Sequence, residues 1–128
     1  MIIDFHVHYT PAEMMGGSRE TVVLRDEHGV PTYILHPRLG DLEQHIEAMD
    51  RAGVDLAVLS SGAGLMGSIE TCRRVNVRIR GAVENYPGRF AGLAHVPPLG
   101  GKEAYRELEK ASRELGFKGV AMESDIHG

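Results

Sequence analysis

Short apolar runs alternate along this chain with longer stretches in which apolar residues recur every three or four positions. The strand-length runs lie at 2–8, 55–59, 90–96 and 119–123. The stretches with a helical period lie at 41–52, 68–86 and 102–115. Alternation of strands and helices is typical of right-handed βαβ crossovers. The pattern therefore predicts an α/β protein with four parallel strands in sequential order and three connecting helices.

Capping residues mark both ends of the first helix. Asp41 precedes the helix, and Gln44 follows three residues later, which is the spacing of a capping box. Gly53 comes directly after the helix, where glycine is common because it tolerates a left-handed backbone. These signals predict a helix that begins after residue 41 and ends at residue 52.

Helical spacing also predicts which faces of the later helices are buried. In the helix over 68–86 the inward positions are Ile69, Cys72, Ile79 and Val83. In the helix over 102–115 they are Tyr105, Leu108, Ala111 and Leu115. Because it lies on such a face, Cys72 is interpreted as a small buried hydrophobic residue and not as a nucleophile.

The segment 9–40 separates the first strand from the first helix and is long for a connection. Two β-prone runs within it, 21–24 and 32–35, flank the sequence Asp-Glu-His-Gly at 26–29. Gly29 can supply the turn of a hairpin. The expected fold therefore includes a small β-hairpin insertion after the first strand.

Composition narrows the class of protein. The 128 residues fit one domain, predicted to span 1–128, and 42% are hydrophobic and 25% charged. The net charge is -4 and basic residues are scattered, so neither nucleic acid nor a membrane is expected as a partner. No signal peptide is recognised, and the single cysteine fits a reducing compartment, so a cytoplasmic location is predicted.

The first strand carries the strongest candidate chemistry. Residues two apart on a strand share a face, so His6 and His8 project side by side with Asp4 behind them. Ile3, Phe5 and Val7 point to the opposite face. Neutral imidazole is the commonest metal ligand, and two imidazoles on one strand make half of a metal site. Spacing alone leaves open that these are two ordinary histidines, and that Asp4 is either a support for a ligand or a polar residue at a strand start.

Four segments taken together resemble the amidohydrolase-related (amidohydrolase 2) family, which contains aminocarboxymuconate-semialdehyde decarboxylase and the resorcylate decarboxylases. The segments are IDFHVH at 3–8, HIEAMDRAGVD at 45–55, NYPGRFAGLA at 85–94 and ELGFKGV at 114–120. Their order and spacing are more specific than any one of them. The resemblance covers nearly the whole chain except the loop over 9–40.

This resemblance implies the N-terminal half of a metal-dependent (β/α)₈ TIM barrel, a parallel (β/α) half-barrel. It implies that His6 and His8 hold a divalent metal, usually zinc, for hydrolysis or nonoxidative decarboxylation of a small carboxylated or amide-type substrate. The family's later metal ligands and acid/base groups have no counterparts here. The chain by itself is therefore expected to be inactive, and to form a homo-oligomer or to pair with a complementary half-barrel.

In a barrel the active face lies at the carboxyl ends of the strands. His95, near the end of the third predicted strand, and Glu123, at the end of the fourth, are candidates for the pocket. Glu123 is a weaker candidate than His95 and has the same standing as Asp125 and His127, which follow it. The alternative for His95 is a histidine whose hydrogen bonds are satisfied near a strand end.

The sequence leaves two rival functions open. A phosphoesterase that opens with a His-x-His strand is the alternative enzyme class, although its further histidine and carboxylate spacings are not found here. A non-catalytic half-barrel that serves binding or assembly is the alternative outside catalysis. Metal content and turnover would distinguish them, because the module needs neither.

Overall fold

The computed structural model describes residues 1–16, 20–65 and 67–123. The strands are β1 (Ile3–His8), β2 (Val22–Arg25), β3 (Pro31–Leu35), β4 (Leu56–Ser60), β5 (Phe90–Gly92), β6 (Ala94–His95) and β7 (Val120–Ala121). The helices are α1 (Leu42–Ala52), α2 (Gly62–Leu65), α3 (Ile69–Asn85) and α4 (Gly101–Arg113). Two short 3₁₀ helices, Ala12–Met15 and Pro37–Gly40, lie in the segment between β1 and α1.

The parallel strands follow the chain order, as predicted. β1 pairs with β4 and β4 with β5, while β6 pairs with β7, all in parallel. The third predicted strand is divided at Leu93, whose N–H donates to the carbonyl of Leu59 at 3.0 Å. The next N–H, that of Ala94, turns to the carbonyl of Gly119 at 2.9 Å. The third predicted strand thus pairs with β4 before Leu93 and with β7 after it, which links the parallel strands of the half-barrel in sequential order.

The hairpin after the first strand is also confirmed. β2 and β3 pair in antiparallel fashion, with Val22 opposite Leu35. The carboxylate of Asp26 accepts hydrogen bonds from the N–H groups of His28 and Val30, both at 2.9 Å. Gly29 has a φ of 79°, which a side chain with a Cβ rarely adopts. Asp26 and Gly29 together therefore close the turn.

The first helix begins and ends where its capping residues predict. Asp41 Oδ1 accepts from the N–H of Gln44 at 3.0 Å, and Gln44 Nε2 donates to Asp41 Oδ2 at 2.7 Å. Gly53 takes the left-handed conformation with φ 69°. At the next long helix the hydroxyl of Ser68 accepts from the N–H of Thr71 at 3.2 Å. The glycine-rich segment after β4 contains the short helix α2.

The buried face of α4 differs from the prediction at one position. Tyr105 is 76% exposed, whereas Ala104, Glu107 and Ala111 are buried. The inward stripe is therefore displaced by one residue at its start. The prediction placed the large side chain of Tyr105 on the buried face. Glu107 is buried instead, because the side chain of Asn76 on α3 donates a hydrogen bond to its carboxylate.

The core lies between the sheet and the helices. It is formed by Ala57, Leu59, Val75, Ile79, Ala82, Phe90, Ala94, Ala111 and Phe117 with neighbouring residues. Cys72 is fully buried, as predicted, with its Sγ 3.3 Å from the Gly64 carbonyl oxygen, and burial raises the pKa of its thiol to about 11. Ile79 is likewise fully buried, while Ile69 and Val83 are half-buried. In the described ranges no helix combines the length and the apolar character needed to cross a membrane.

Candidate metal site

The carboxyl ends of the first three parallel strands bring a small set of polar residues to one edge of the sheet. β1 ends at His8 and β4 at Ser60, and these two residues are partners in the register of the pair. β6 ends at His95, whose ring contacts the residue after Ser60. This edge is where barrel enzymes carry their active sites.

His6 and His8 point their ring nitrogens at each other. The two Nε2 atoms lie 3.0 Å apart, and the ring centroids are 4.8 Å apart with the planes at 82°. Two nitrogens bound to one tetrahedral ion at about 2.1 Å are about 3.4 Å apart, so a small opening of this pair would admit a cation between them. The donor set of two imidazoles therefore fits a divalent transition metal.

Electrostatics favour the ligand form of His8. Burial lowers its pKa, the nearby imidazole of His6 lowers it further, and the carboxylate of Glu123 opposes both effects. A neutral ring keeps a nitrogen lone pair available at neutral pH, which a metal ligand requires. Glu123 is exposed and lies just after β7, so its influence on His8 is electrostatic.

Asp4 supports the backbone of the strand. Its Oδ1 accepts a hydrogen bond from the N–H of His6 at 3.1 Å, and the residue is exposed. Of the two interpretations of Asp4, this contact favours a polar residue near the strand start.

Ser60 is a neighbour of His8 that the sequence analysis missed. Its Oγ lies 3.5 Å from Nδ1 of His8, on the side of the ring opposite to the Nε2 that faces His6. The signal was a polar residue that ends an apolar strand at the same edge as His8. A hydroxyl at Nδ1 can influence which ring nitrogen of His8 carries the proton.

His95 is a buried residue and does not line an open pocket. Its Nε2 accepts a hydrogen bond from the N–H of Ser61 at 3.0 Å, and a Cβ on Gly64 would lie 2.5 Å from the ring. Burial lowers the pKa of His95 to about 4; the backbone of Leu93 partly opposes this, and the charge of His8 lowers it slightly more. The ring is therefore neutral at pH 7. Because a backbone N–H can only donate, the ring proton resides on Nδ1.

Asn76 and Glu107 form a buried polar pair that sequence reasoning also missed. Asn76 Oδ1 accepts from the N–H of His95 at 2.8 Å, and its Nδ2 donates to the His95 carbonyl and to Glu107 Oε1, both at 2.9 Å. Arg73 Nε lies 3.5 Å from Glu107 Oε2. Position 76 shares the helical face of Cys72 and Ile79, and a polar residue on that face was the available signal.

A third metal ligand is not supplied by the part of the chain described. Within residues 1–16, 20–65 and 67–123, no three His, Cys, Asp or Glu side chains are placed to hold a metal ion together. Two of the weaker candidates, Asp125 and His127, lie outside the described residues. The site as described consists of two paired imidazoles, one neighbouring hydroxyl and a buried network behind them.

Curated relatives of this chain are decarboxylases. A γ-resorcylate decarboxylase from Polaromonas sp. is 36% identical over 96 residues, which cover 69% of this chain and 29% of that enzyme. A 2-amino-3-carboxymuconate-6-semialdehyde decarboxylase from Dictyostelium discoideum is 27% identical over 95 residues, or 69% of this chain and 26% of that enzyme.

Solved structures agree with the fold. A 5-carboxyvanillate decarboxylase from Novosphingobium aromaticivorans, complexed with manganese and 4-hydroxy-3-methoxy-5-nitrobenzoic acid, superposes with a TM-score of 0.75 at 25% identity. The match covers 100% of this chain and 43% of that one. A dihydroxybenzoic acid decarboxylase from Polaromonas sp., with bound manganese and 2-nitroresorcinol, gives a TM-score of 0.65 at 27% identity over 93% of this chain and 37% of that one.

These matches establish a half-barrel that spans less than half the length of each of these four relatives. The sequence model of the amidohydrolase family matches residues 3–128, which includes every segment on which the resemblance rested. This chain belongs to the amidohydrolase family.

Proposed function

We propose that this chain supplies the first two ligands, His6 and His8, of a divalent-metal site in a decarboxylase of the amidohydrolase superfamily. The observation that carries the proposal is the 3.0 Å separation of the two Nε2 atoms at the active edge of the sheet. The lowered pKa of His8 supports it, because metal binding requires a neutral ring.

The substrate class is proposed from the relatives. The enzymes named above act on small carboxylated molecules, most of them aromatic acids. A bound divalent cation would act as a Lewis acid and orient a substrate carboxylate. The two imidazoles of this chain would fix that cation beside β1, and the hydroxyl of Ser60 would lie behind the ring of His8. Decarboxylation is preferred here to hydrolysis because the curated relatives are decarboxylases.

Zn²⁺ and Mn²⁺ are the two candidate cations. Zinc follows from the family resemblance, whereas the two solved decarboxylases described above contain manganese. Imidazole sites generally bind Zn²⁺ more tightly than Mn²⁺, so affinity alone does not identify the native ion. Both cations therefore belong in the test.

Cation binding tests the proposal directly. Isothermal titration with Zn²⁺ and Mn²⁺ would compare the wild-type chain with the double variant His6→Ala plus His8→Ala. We expect at least about a tenfold loss of affinity in the variant, because imidazoles supply the coordinating nitrogens. The matched control is His28→Ala plus His36→Ala, which removes two exposed histidines from the hairpin region. Equal binding by wild type and the strand variant would contradict the metal assignment.

Turnover provides a second test. Catalytic zinc sites typically have three protein ligands and an open position, and the described residues offer two. Residues 1–128 alone should therefore show no metal-dependent release of CO₂ from a resorcylate or a carboxyvanillate. A robust rate from this chain would show that the catalytic residues have been misplaced. A chain that neither binds a cation nor turns over substrate would favour the non-catalytic module.

A further inference from the structure

The geometry points to His95 as a positioning residue for this site: its buried imidazole, clamped by Asn76, fixes the Ser60–Ser61 turn against His8. The inference deepens the proposed function and rests on the assignment of His8 as a ligand. His95 is buried and does not itself face the proposed cation site between His6 and His8.

Asn76 holds the end of β6 in place. One carboxamide, that of Asn76 on α3, bonds to both the N–H and the carbonyl of His95 at the end of β6. Glu107 on α4 accepts the second hydrogen of the same amide nitrogen at 2.9 Å. Because a carboxylate accepts only from the NH₂ end, it determines which way the amide is turned. Two helices thus fix the position of His95 through groups that are all buried.

The ring of His95 contacts the turn that follows β4. Nε2 of His95 is the acceptor for the N–H of Ser61, the first residue after β4. Gly64 lies so close to the ring that a Cβ there would meet ring carbons at 2.5 and 2.6 Å. The ring of His95 therefore packs against the turn at Gly64 and holds it through one hydrogen bond, which the N–H of Ser61 donates. A side chain without an acceptor at this place would leave the buried N–H of Ser61 unpaired.

The same turn lies next to the paired histidines. Ser60 precedes Ser61 and places its Oγ 3.5 Å from Nδ1 of His8. A hydroxyl at that nitrogen can accept from Nδ1–H of His8, and a proton on Nδ1 leaves Nε2 free to face His6 and a cation. Outer partners of this kind fix the tautomer and orientation of metal-bound histidines. His95 is two hydrogen-bonded contacts away from His8 and acts on it through the turn.

Nitrogen-15 NMR of the histidine rings tests the inference in the absence of any metal. In the wild-type chain we expect His95 and His8 each to carry the proton on Nδ1. His95→Leu should abolish the preference for a proton on Nδ1 of His8, because the N–H of Ser61 loses its acceptor and the turn is no longer held in place. His95→Gln should restore it, since the side-chain oxygen of glutamine can accept from the N–H of Ser61 where Nε2 did. Unchanged His8 signals in His95→Leu would overturn the inference.

A titration with Mn²⁺ gives the second readout. His95→Leu should weaken binding about tenfold, the effect typical of losing an outer partner of a ligand, and His95→Gln should stay within about twofold of wild type. The matched control is Val75→Ala, which also loses buried volume next to Asn76 but makes no polar contact with the strand. It should leave both His8 signals and affinity unchanged.

The NMR and titration experiments together distinguish the positioning role of His95 from the metal assignment of His6 and His8. Cation binding that is equal in wild type and His95→Leu, with unchanged His8 signals, would refute the positioning role and leave the metal assignment intact. No binding by the wild type would refute the metal assignment, while the ring signals would still decide the role of His95. If His95→Leu does not fold, Ser60→Ala replaces it. Ser60→Ala should abolish the preference for a proton on Nδ1 of His8 and leave the ring signals of His95 unchanged. Unaltered His8 signals in this variant would refute the inference.

Discussion

Arg89 Nη2 lies 2.7 Å from Asp50 Oδ1, which joins the start of β5 to the last turn of α1. The same guanidinium donates to the carbonyls of Asp55 at 3.2 Å and Val54 at 3.4 Å. Two segments that carried the family resemblance, 45–55 and 85–94, therefore contact each other at the amino ends of the strands. This edge is opposite to His8, so the contact joins the two segments at the end of the sheet remote from the paired histidines.

The first prediction concerns this contact. Arg89→Ala should lower the free energy of unfolding by about 1–2 kcal/mol, because two backbone carbonyls and a carboxylate lose their donor. Arg51→Ala is the control, since among the described residues Arg51 makes only an exposed ion pair with Glu47 on the same helix, and its loss should cost at most about 0.5 kcal/mol. Urea denaturation followed by circular dichroism measures both. Equal losses would show that the contacts of Arg89 contribute nothing beyond surface charge.

The second prediction compares two glycines. Gly64→Ala should destabilise the protein by about 1–3 kcal/mol, because the added carbon would overlap the ring of His95. Gly81→Ala should instead raise stability by about 0.5–1 kcal/mol, since Gly81 lies in α3 and a Cβ there meets nothing within 4 Å. Thermal unfolding of the two variants distinguishes them by sign. A stable Gly64→Ala would mean that the ring of His95 can move away from the turn.

The third prediction concerns pH. The unfolded chain binds a proton at His95 near pH 6.5, whereas the folded protein keeps the ring neutral down to about pH 4. Stability should therefore fall as the pH is lowered from about 6.5 to 4, by roughly 3 kcal/mol in total, and then level off with respect to this group. Lowered pKa values of His8 and His45 act in the same direction.

The control for the pH effect is His95→Gln, which keeps the hydrogen bond to Ser61 but cannot titrate. Urea midpoints measured without metal between pH 4 and 7.5 should vary less in this variant than in the wild type. The two profiles would coincide if His95 were accessible to protons in the folded state.

The fourth prediction concerns association. In the described part of the chain β1 pairs only with β4 and β7 only with β6, so each has an edge without a strand partner. Phe5 is 70% exposed and Ile3 is 49% exposed on the same strand. Covering a few hundred Å² of such surface at about 25 cal/mol per Å² would favour association by several kcal/mol before the cost of ordering two chains.

Sedimentation at micromolar concentration should therefore show species heavier than the 14.0 kDa monomer. Phe5→Ser should shift the distribution toward the monomer. Leu99→Ser is the matched control, because Leu99 is equally exposed but lies in the loop before α4. A folded monomer at every concentration would show that these edges are covered within the chain.

The sequence by itself determined the three long helices, the order of the parallel strands, the hairpin and the paired histidines. Periodicity located the long helices, and residues such as Asp41 and Gly53 set their ends, because capping depends on contacts only a few residues apart. The side-by-side placement of His6 and His8 followed from strand geometry alone. Such features are local, so they can be inferred without knowing what packs against them.

Only the tertiary structure decided which polar residues are buried and what they hold. Asn76 contacts His95 across 19 positions and Glu107 across 31, and Ser60 contacts His8 across 52. No periodic pattern predicts such pairs, and the same reason explains why Glu107 was passed over for Tyr105. A buried polar group is tolerated only where distant partners satisfy its hydrogen bonds, and those partners are brought together by the folding of strands and helices that are far apart in the chain.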